Sequence, residues 1–247
     1  IKNYFKIAFR NIKRYSAHSI LNITGMAIGM ACAFLLLLWV YDEWSYDRHF
    51  ENASDLYRVI ERQNSPGGEV TLLAPVQNAI APALKNEYPE IIRFSRIIHT
   101  PLTLKKKDEF IEETVVVVDK DFLKMFSVEF VRGDSNTALN DPHNIVITEE
   151  TAHKYFGDEE ALGKTLPSRG YDVTVTGVVK SFPPNSHLHF DFLVPIEWIA
   201  GAGSTINDWS DQGRSYSYVQ LKKGTDSNRL EEKIRDLIKH HIKGSDA

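Results

Sequence analysis

The feature that most constrains this chain is an uncharged stretch near its N-terminus. From Ser19 to Tyr41 the sequence reads SILNITGMAIGMACAFLLLLWVY and carries no charged side chain. As an α-helix, residues 20–41 would be about 33 Å long, against roughly 30 Å of hydrocarbon in a typical bilayer. A charged side chain at the centre would cost about 2.5–3.5 kcal/mol on insertion. The stretch therefore predicts a transmembrane helix at 19–41.

The charges on the two sides of this span differ in sign. The residues before it include five bases and no acid: Lys2, Lys6, Arg10, Lys13 and Arg14. The charged residues directly after it are acidic, apart from Arg48: Asp42, Glu43, Asp47, Glu51 and Asp55. Lysine and arginine favour the cytoplasmic side of a membrane. We therefore expect a cytoplasmic N-terminus and a periplasmic remainder, with Trp39, Tyr41 and Trp44 at the outer interface.

Two other interpretations of the span fit the residues less well. A secretory signal peptide has an apolar region of about 7–15 residues and a small-residue cleavage site. Here the apolar run is longer, and no such site follows Leu38. A buried core helix of a soluble protein would not need a one-sided basic flank. Cys32 is the single cysteine, so it forms no intrachain disulfide, and we expect it to be a small packing residue.

Within the span, small residues recur every four positions at Gly25, Gly29 and Ala33. Such a row lies on one face of a helix and lets helix backbones approach closely in lipid. We expect this face to pack against another transmembrane helix, although matches to so short a pattern also arise by chance.

The segment before the span, residues 1–18, has the composition of a helix that lies on a membrane surface. Aromatic and aliphatic residues alternate with its bases at helical spacing: Tyr4, Phe5, Ile7, Ala8, Phe9 and Ile12. Such a pattern is typical of an amphipathic helix on an anionic leaflet. The alternative is a basic flank that only sets orientation.

The stretch FGDEEALGKT, residues 156–165, resembles a phosphate-binding loop without matching one. Five residues separate Gly157 from Gly163, where the motif has four, and three of them are acids: Asp158, Glu159 and Glu160. A phosphate-binding loop surrounds its ligand with backbone N–H groups and one lysine, and carboxylates there would repel the phosphates. We expect instead a helix that ends at Gly157, a polar turn and a second glycine turn, with Lys164 a solvated surface charge.

Strand and helix patterns are mixed in the rest of the chain. Strands are expected at 56–62, 91–98, 109–118, 145–147, 187–194 and 215–221, with another in YDVTVTGVV and a short one ending at Leu73. Helices are expected from Val76 to before Pro89, at 120–126, from Thr148 to Gly157 and from near Asp226 onward. Because the two types do not alternate strictly, the class is α+β.

Candidate chemistry in this region is sparse. His187, His189 and Asp191 would share one face of the strand at 187–194 and could bind zinc, but no fourth ligand is apparent. A strand face with interleaved Leu188, Phe190 and Phe192 is more often simply half-buried, which is the interpretation that we favour. His240 and His241 are adjacent on a helix and should be solvated. No catalytic residue, cofactor or metal site is expected, and a net charge of −4 gives no reason to expect nucleic acid.

Several segments together resemble a known family. They are IKNYFKIAFRNIKRYSAHSILNITGMAIGMA, YDEWSYDRHFENASDLYRV, VVVVDKDFLKMFSVEFVRGD, TALNDPHNIVITEETAHKYFG, ALGKTL and VTGVVKSFPPNSHLHFDFLV. In this order they resemble the N-terminal part of MacB/FtsX-type ABC transporter permeases, especially those of Bacteroidetes. The resemblance covers nearly the whole chain.

The resemblance implies a division of the chain. Residues 1–18 would be a cytoplasmic amphipathic basic segment, 19–41 a transmembrane helix and 42–247 a periplasmic core domain. That domain would be a porter-like α/β sandwich (about 53–118 and 187–243) with an inserted mixed α/β subdomain (about 119–186). Further transmembrane helices are expected beyond Ala247.

The resemblance also implies a function. Such a permease transmits ATP-driven motion from a separate cytoplasmic ATPase subunit to the periplasm, for export or extraction of a substrate. Its expected partners are that ATPase, a second permease copy in a homo- or heterodimer, the bilayer of the bacterial inner membrane, and in some cases a membrane-fusion or outer-membrane protein. The alternative is a membrane-anchored sensory or adaptor module without transport.

Overall fold

The structure is a computed structural model that describes residues 2–64, 68, 70–201, 206, 207, 209, 214–235, 237 and 241. The chain forms two compact units, Ile1–Asp47 and Arg48–Ala247. The first unit contains helices α1 (Lys2–Arg14) and α2 (Ser16–Ser45), which are separated at Tyr15. Helix α2 is long and apolar enough to cross a membrane. It exceeds the predicted span because it continues into the polar residues at both ends.

The second unit combines short helices with many strands. After a 3₁₀ turn at Ala53–Asp55 come the strands β1 (Leu56–Arg58), β2 (Glu61–Asn64), β3 (Val70–Leu73), β4 (Pro75–Gln77), β5 (Ile91–Lys106), β6 (Glu109–Val118), β7 (Phe130–Gly133), β8 (Asn144–Thr148), β9 (Thr165–Leu166), β10 (Val173–Val179), β11 (Phe192–Pro195) and β12 (Arg214–Leu221). The helices are α3 (Ile80–Glu87), α4 (Phe122–Met125), α5 (Glu149–Phe156), α6 (Glu197–Gly201) and α7 (Ser227–Ile234). The α+β class predicted from the sequence is confirmed.

Ten of these strands form one sheet in the order β1-β12-β5-β6-β11-β8-β10-β7, with β4 also paired to β12 and β9 to β10. Strands β6 and β11 pair in parallel, as do β8 and β10, whereas the other pairs are antiparallel. The sheet is continuous from β6 through β11 to β8, so the segments 53–118 and 119–186 share it. Their division into two subdomains remains a proposal.

The edge of this sheet explains why the single strand predicted at 56–62 is two strands. Strand β1 pairs with residues 218–220 of β12, and β4 pairs with residues 214–216 of the same strand. The two therefore occupy one position beside β12. Between them the chain leaves the sheet, and β2 pairs with β3 in a separate hairpin. The sequence pattern typical of a strand continues through 56–62, but the pairing partner changes from β12 for β1 to β3 for β2.

Side chains alternate between two covered faces of the sheet. On one face Val116, Val118, Val146 and Leu193 form a core with α4 and Phe50. On the other face Val115, Val117, Ile145 and Phe192 pack with residues of α5 and α6. A third cluster lies on this second face, where Val219 and Leu221 of β12 pack with residues of α3 and α7. The second face thus carries two helical layers side by side.

Two expectations from the sequence are wrong in detail, and one strand was missed. The helix predicted from residue 76 begins at Ile80, because Val76 lies in β4 and is buried against β12. The strand predicted at 187–194 is confined to β11, which pairs with β6 and β8 only from Phe192 onward. Strand β7, which pairs with β10, was not predicted. Thr148 does cap α5 as expected, because its side chain accepts a hydrogen bond from the Thr151 N–H.

Strands β7 and β10 approach each other most closely at two glycines. Gly133 has a φ of +92°, and a Cβ added there would lie 2.5 Å from the Thr176 carbonyl oxygen. It would also lie 3.0 Å from the Gly177 Cα, which pairs with Gly133 in the ladder. Position 133 therefore requires glycine for two reasons: its φ is positive, and a side chain there would clash with the backbone of β10.

We expect Gly133→Ala to lower the free energy of unfolding by about 3 kcal/mol, because strain from a positive φ and a backbone clash add together. Gly224→Ala is the matched control. Gly224 has a φ of +83° but no atom within 4 Å of an added Cβ, so it should lose only about 1 kcal/mol. Denaturant unfolding of the detergent-solubilised chain measures both, and equal losses would contradict the crowding argument.

Candidate functional site

The first candidate surface is helix α2. Gly25, Gly29 and Ala33 lie within it and are exposed, and a Cβ added to either glycine would meet no atom of the described chain. The large apolar side chains of this helix are exposed as well, from Ile20 to Trp44. An apolar helix without a covering layer in its own unit requires lipid or another helix around it. What packs on the small-residue row stays a prediction.

The second candidate surface is helix α1. Lys6, Arg10, Lys13 and Arg14 are exposed, and Lys2 lies in the first turn of the helix. The apolar residues Tyr4, Phe5, Phe9 and Ile12 are exposed too. A short helix with exposed bases and exposed aromatic rings has the composition of a helix at a membrane surface.

The segment that resembles a phosphate-binding loop uses its backbone groups internally. Helix α5 ends at Gly157, and Gly163 follows with a φ of +79°. The Gly163 N–H donates to the Val175 carbonyl oxygen at 2.7 Å, and the Lys164 N–H donates to that of Ala161 at 3.1 Å. These N–H groups are therefore not directed at an anion. The turn predicted from the sequence is confirmed.

Lys164 itself differs from the expectation. Its Nζ forms an ion pair with Glu159 and lies 5.1 Å from the centre of the Phe156 ring. The hydrogen bond from Lys164 lowers the pKa of the Glu159 carboxyl. Lys164 is thus paired and half-buried rather than solvated, and one of the acids that a phosphate would have to displace holds it in place.

The structure does not bring His187, His189 and Asp191 together with further ligands among the residues that it describes. His187, His189 and Asp191 are exposed and precede β11, and the His187 Nε2 lies 2.9 Å from the Tyr218 hydroxyl. No group of three or more His, Cys, Asp or Glu side chains within the described residues is placed to hold a metal ion. His241 is exposed, as expected, and it also lies 2.6 Å from Glu87 and stacks on Trp209. His240 lies outside the described residues.

Two polar networks of the second unit were not predicted from the sequence. The Arg96 guanidinium binds Asp119 at 2.6 Å, and both side chains are nearly inaccessible to solvent. Glu113 accepts hydrogen bonds from Lys154 and from the Tyr155 hydroxyl. Burial alone would raise the pKa of the Glu113 carboxyl, but these donors outweigh it and lower the pKa. The Arg96 guanidinium and the Asp119 and Glu113 carboxyls all have protein partners, so these networks hold neighbouring segments of the fold together.

The sequence also gave no indication of an aromatic cluster just after the N-terminal unit. Phe50 is 4% exposed and packs against Phe126 and Phe182. Its position just after α2 could have suggested a buried side chain that holds this segment to the rest of the second unit. Its partners are too distant in sequence to be foreseen.

Comparisons with known proteins identify the fold. The model of the MacB-like periplasmic core domain matches residues 19–237. The chain belongs to this family. The resemblance to MacB/FtsX-type permeases is thereby confirmed. No curated protein sequence matches.

Solved structures agree with this membership. A domain of a protein assigned as a permease from Porphyromonas gingivalis is 27% identical, with a TM-score of 0.68 over 79% of this chain and 85% of that one. The periplasmic region of MacB from Actinobacillus actinomycetemcomitans is 15% identical, with a TM-score of 0.56 over 76% of this chain and 84% of its own. The extracellular domain of the ABC-type transporter YknZ from Gram-positive bacteria is 16% identical, with a TM-score of 0.53 over 76% and 96%. The last two show the fold alone.

Membership in the MacB-like family makes the chain a transporter permease component. We expect isothermal titration with Mg-ATP to give no binding heat for the chain or for Lys164→Ala, because the Gly163 and Lys164 N–H groups already donate to carbonyl oxygens of the chain. Lys180→Ala is the matched control, since Lys180 also pairs with a surface glutamate, Glu129. Micromolar binding that is lost in Lys164→Ala but not in Lys180→Ala would contradict this interpretation.

Proposed function

We propose that the chain is the N-terminal part of the permease subunit of a MacB/FtsX-type ABC transporter. In this proposal the subunit transmits ATP-driven motion from a separate cytoplasmic ATPase to the periplasm, for export or extraction of a substrate. The observation that carries the proposal is the order of parts: a basic helix, a second helix with an uncharged stretch of membrane-spanning length, and a MacB-like core domain.

The proposed localisation is the bacterial inner membrane, with α1 on the cytoplasmic leaflet and the second unit in the periplasm. Its support is the charge bias around the uncharged stretch of α2: the charged residues before it are basic, and those directly after it are acidic apart from Arg48. Lysine and arginine near the ends of a helix set its orientation. The bases of α1, at positions 2, 6, 10, 13 and 14, would then face anionic headgroups, each contributing about 1 kcal/mol.

The proposed partners are the cytoplasmic ATPase and a second permease copy, in a homo- or heterodimer. A membrane-fusion or outer-membrane protein is a further proposed partner. Support for the ATPase comes from the family and from the chemistry of the chain, because its one loop that resembles a nucleotide site is closed by its own hydrogen bonds. Support for helix partners comes from the exposed apolar surface of α2.

Coupling to an ATPase can be tested by purifying the full-length permease together with an ABC ATPase encoded beside it. We expect a stable complex in mild detergent whose ATP hydrolysis depends on the Walker lysine of the ATPase. The control is the same ATPase expressed alone. A permease that purifies without any ATPase, and that leaves hydrolysis unchanged when added to it, would favour the sensory or adaptor module.

Orientation has a separate test. Alkaline phosphatase fused after Ala247 should be active, because the enzyme folds only in the oxidising periplasm. The same fusion placed after Tyr15, before α2, should be inactive. Activity of the fusion after Tyr15 alone would reverse the proposed topology.

The small-residue row can be tested by enlarging one member. Gly29→Leu should weaken association of α2 with its neighbouring helix, because a branched side chain prevents close approach of the backbones. Met30→Leu, one position along the helix, leaves the row intact and is the control. A membrane two-hybrid assay compares the two variants, and equal association would remove the row from the interface.

A further inference from the structure

Phe50 begins the buried part of the second unit. It lies five residues after the last residue of α2 and is 4% exposed. The centre of its ring lies 3.9 Å from that of His49 and 5.3 Å from those of Phe126 and Phe182. The His187 ring follows at 6.1 Å. We call these five rings the entry socket.

The walls of the entry socket belong to parts of the chain that are distant in sequence. Phe126 follows α4, whereas Phe182 and His187 lie in the segment between β10 and β11. The socket is also joined to the sheet, because Phe126 packs edge-on against Tyr218 of β12 at 5.3 Å. The hydroxyl of the same Tyr218 lies 2.9 Å from the His187 Nε2.

Hydrogen bonds hold the two residues that follow Phe50 in the sequence. The Glu51 N–H donates to the Ser127 Oγ at 3.2 Å, and the Asn52 side chain donates to the Lys124 carbonyl oxygen at 3.3 Å. Ser127 has a φ of +50°, a conformation that is uncommon for a residue other than glycine. Strand β1 begins a few residues later and pairs with β12.

The order of these contacts decides where a load would act. A force that reaches Arg48 along the chain meets Phe50 before it meets β1. A close-packed aromatic side chain resists displacement because interiors are dense and have low compressibility. The ring therefore distributes the load to α4, to the segment after β10 and to β12. Without this anchor, residues 48–55 would form a loop that could extend before the sheet moved.

We propose that the entry socket is the joint through which motion of the transmembrane part enters the folded unit, with Phe50 as its positioning residue. The inference rests on the proposed function, since it requires a motion driven by an ATPase. It adds to that function the residues through which the motion passes.

The test uses hydrogen exchange measured by mass spectrometry on the full-length permease in complex with its ATPase, reconstituted in lipid. Exchange is compared with and without ATP and vanadate in two peptides, residues 34–45 of α2 and residues 214–221 of β12. In the wild type both peptides should change with nucleotide. In Phe50→Ala the change in α2 should persist and the change in β12 should be lost. Phe110→Ala, the same truncation at an exposed ring, should behave as the wild type.

A rescue separates transmission from folding. In a Cys32→Ala background, a disulfide between Glu51→Cys and Ser127→Cys should restore the β12 response of Phe50→Ala, because it replaces the anchor by a covalent bond. Reduction of the disulfide should abolish the response again. If Phe50→Ala does not assemble, the double variant Asn52→Ala, Ser127→Ala removes the polar contacts alone and should reduce the β12 response.

The possible outcomes are distinguishable. If the β12 response is unchanged in Phe50→Ala, the proposal that the entry socket is the joint is wrong. The same holds for the double variant if Phe50→Ala does not assemble. Loss of the α2 response together with the β12 response would also overturn this proposal, since the defect would then precede the socket. If neither peptide of the wild type responds to nucleotide, the proposed function itself fails, and the joint with it.

Discussion

Arg96 and Asp119 form a buried ion pair on which the second face of the sheet depends. Arg96 lies in β5, and Asp119 directly follows β6. The carboxylate accepts from the Arg96 backbone N–H and from its guanidinium, which also donates to the carbonyl oxygens of Asn78 and Ile206. The pair therefore connects two strands, the turn before α3 and the segment before β12. Removal of either partner would leave a buried charge unpaired, at a cost of about 3–5 kcal/mol.

The position of this pair also bears on the proposed division of the core domain. Side-chain alternation along β5 places Arg96 on the face that carries both helical layers, between the cluster of α3 and α7 and the cluster of α5 and α6. Asp119 is the residue at which the inserted subdomain is proposed to begin. Because the sheet continues across this boundary, the two proposed parts contribute neighbouring strands to one sheet.

The sequence was informative where a local pattern determines structure and uninformative where a distant partner does. The apolar alternation of β6 and the capping of α5 by Thr148 are local, and both were predictable. Strand β1 ends at Arg58 because β4 pairs with the remaining part of β12, which is a distant segment of the chain. The burial of Arg96 likewise depends on its distant partner Asp119. Of the candidate surfaces, α1 and α2 could be found from charge and hydropathy alone. The entry socket could not, since its rings come from three separate segments.

Strand β12 is the element that the two ends of the second unit share. On one face Tyr218 contacts Phe126 and His187 of the entry socket. On the opposite face Val219 and Leu221 share a cluster with Leu230 of α7. Helix α7 is tied to α3 in turn, because the Tyr88 hydroxyl donates to the Lys233 carbonyl oxygen and Lys233 pairs with Glu90. A displacement of residues 48–50 relative to α7 therefore has to pass through β12. Strand β5, which holds Arg96, pairs with residues 216–221 of β12, so the buried ion pair stiffens the sheet directly beside the strand that both ends share.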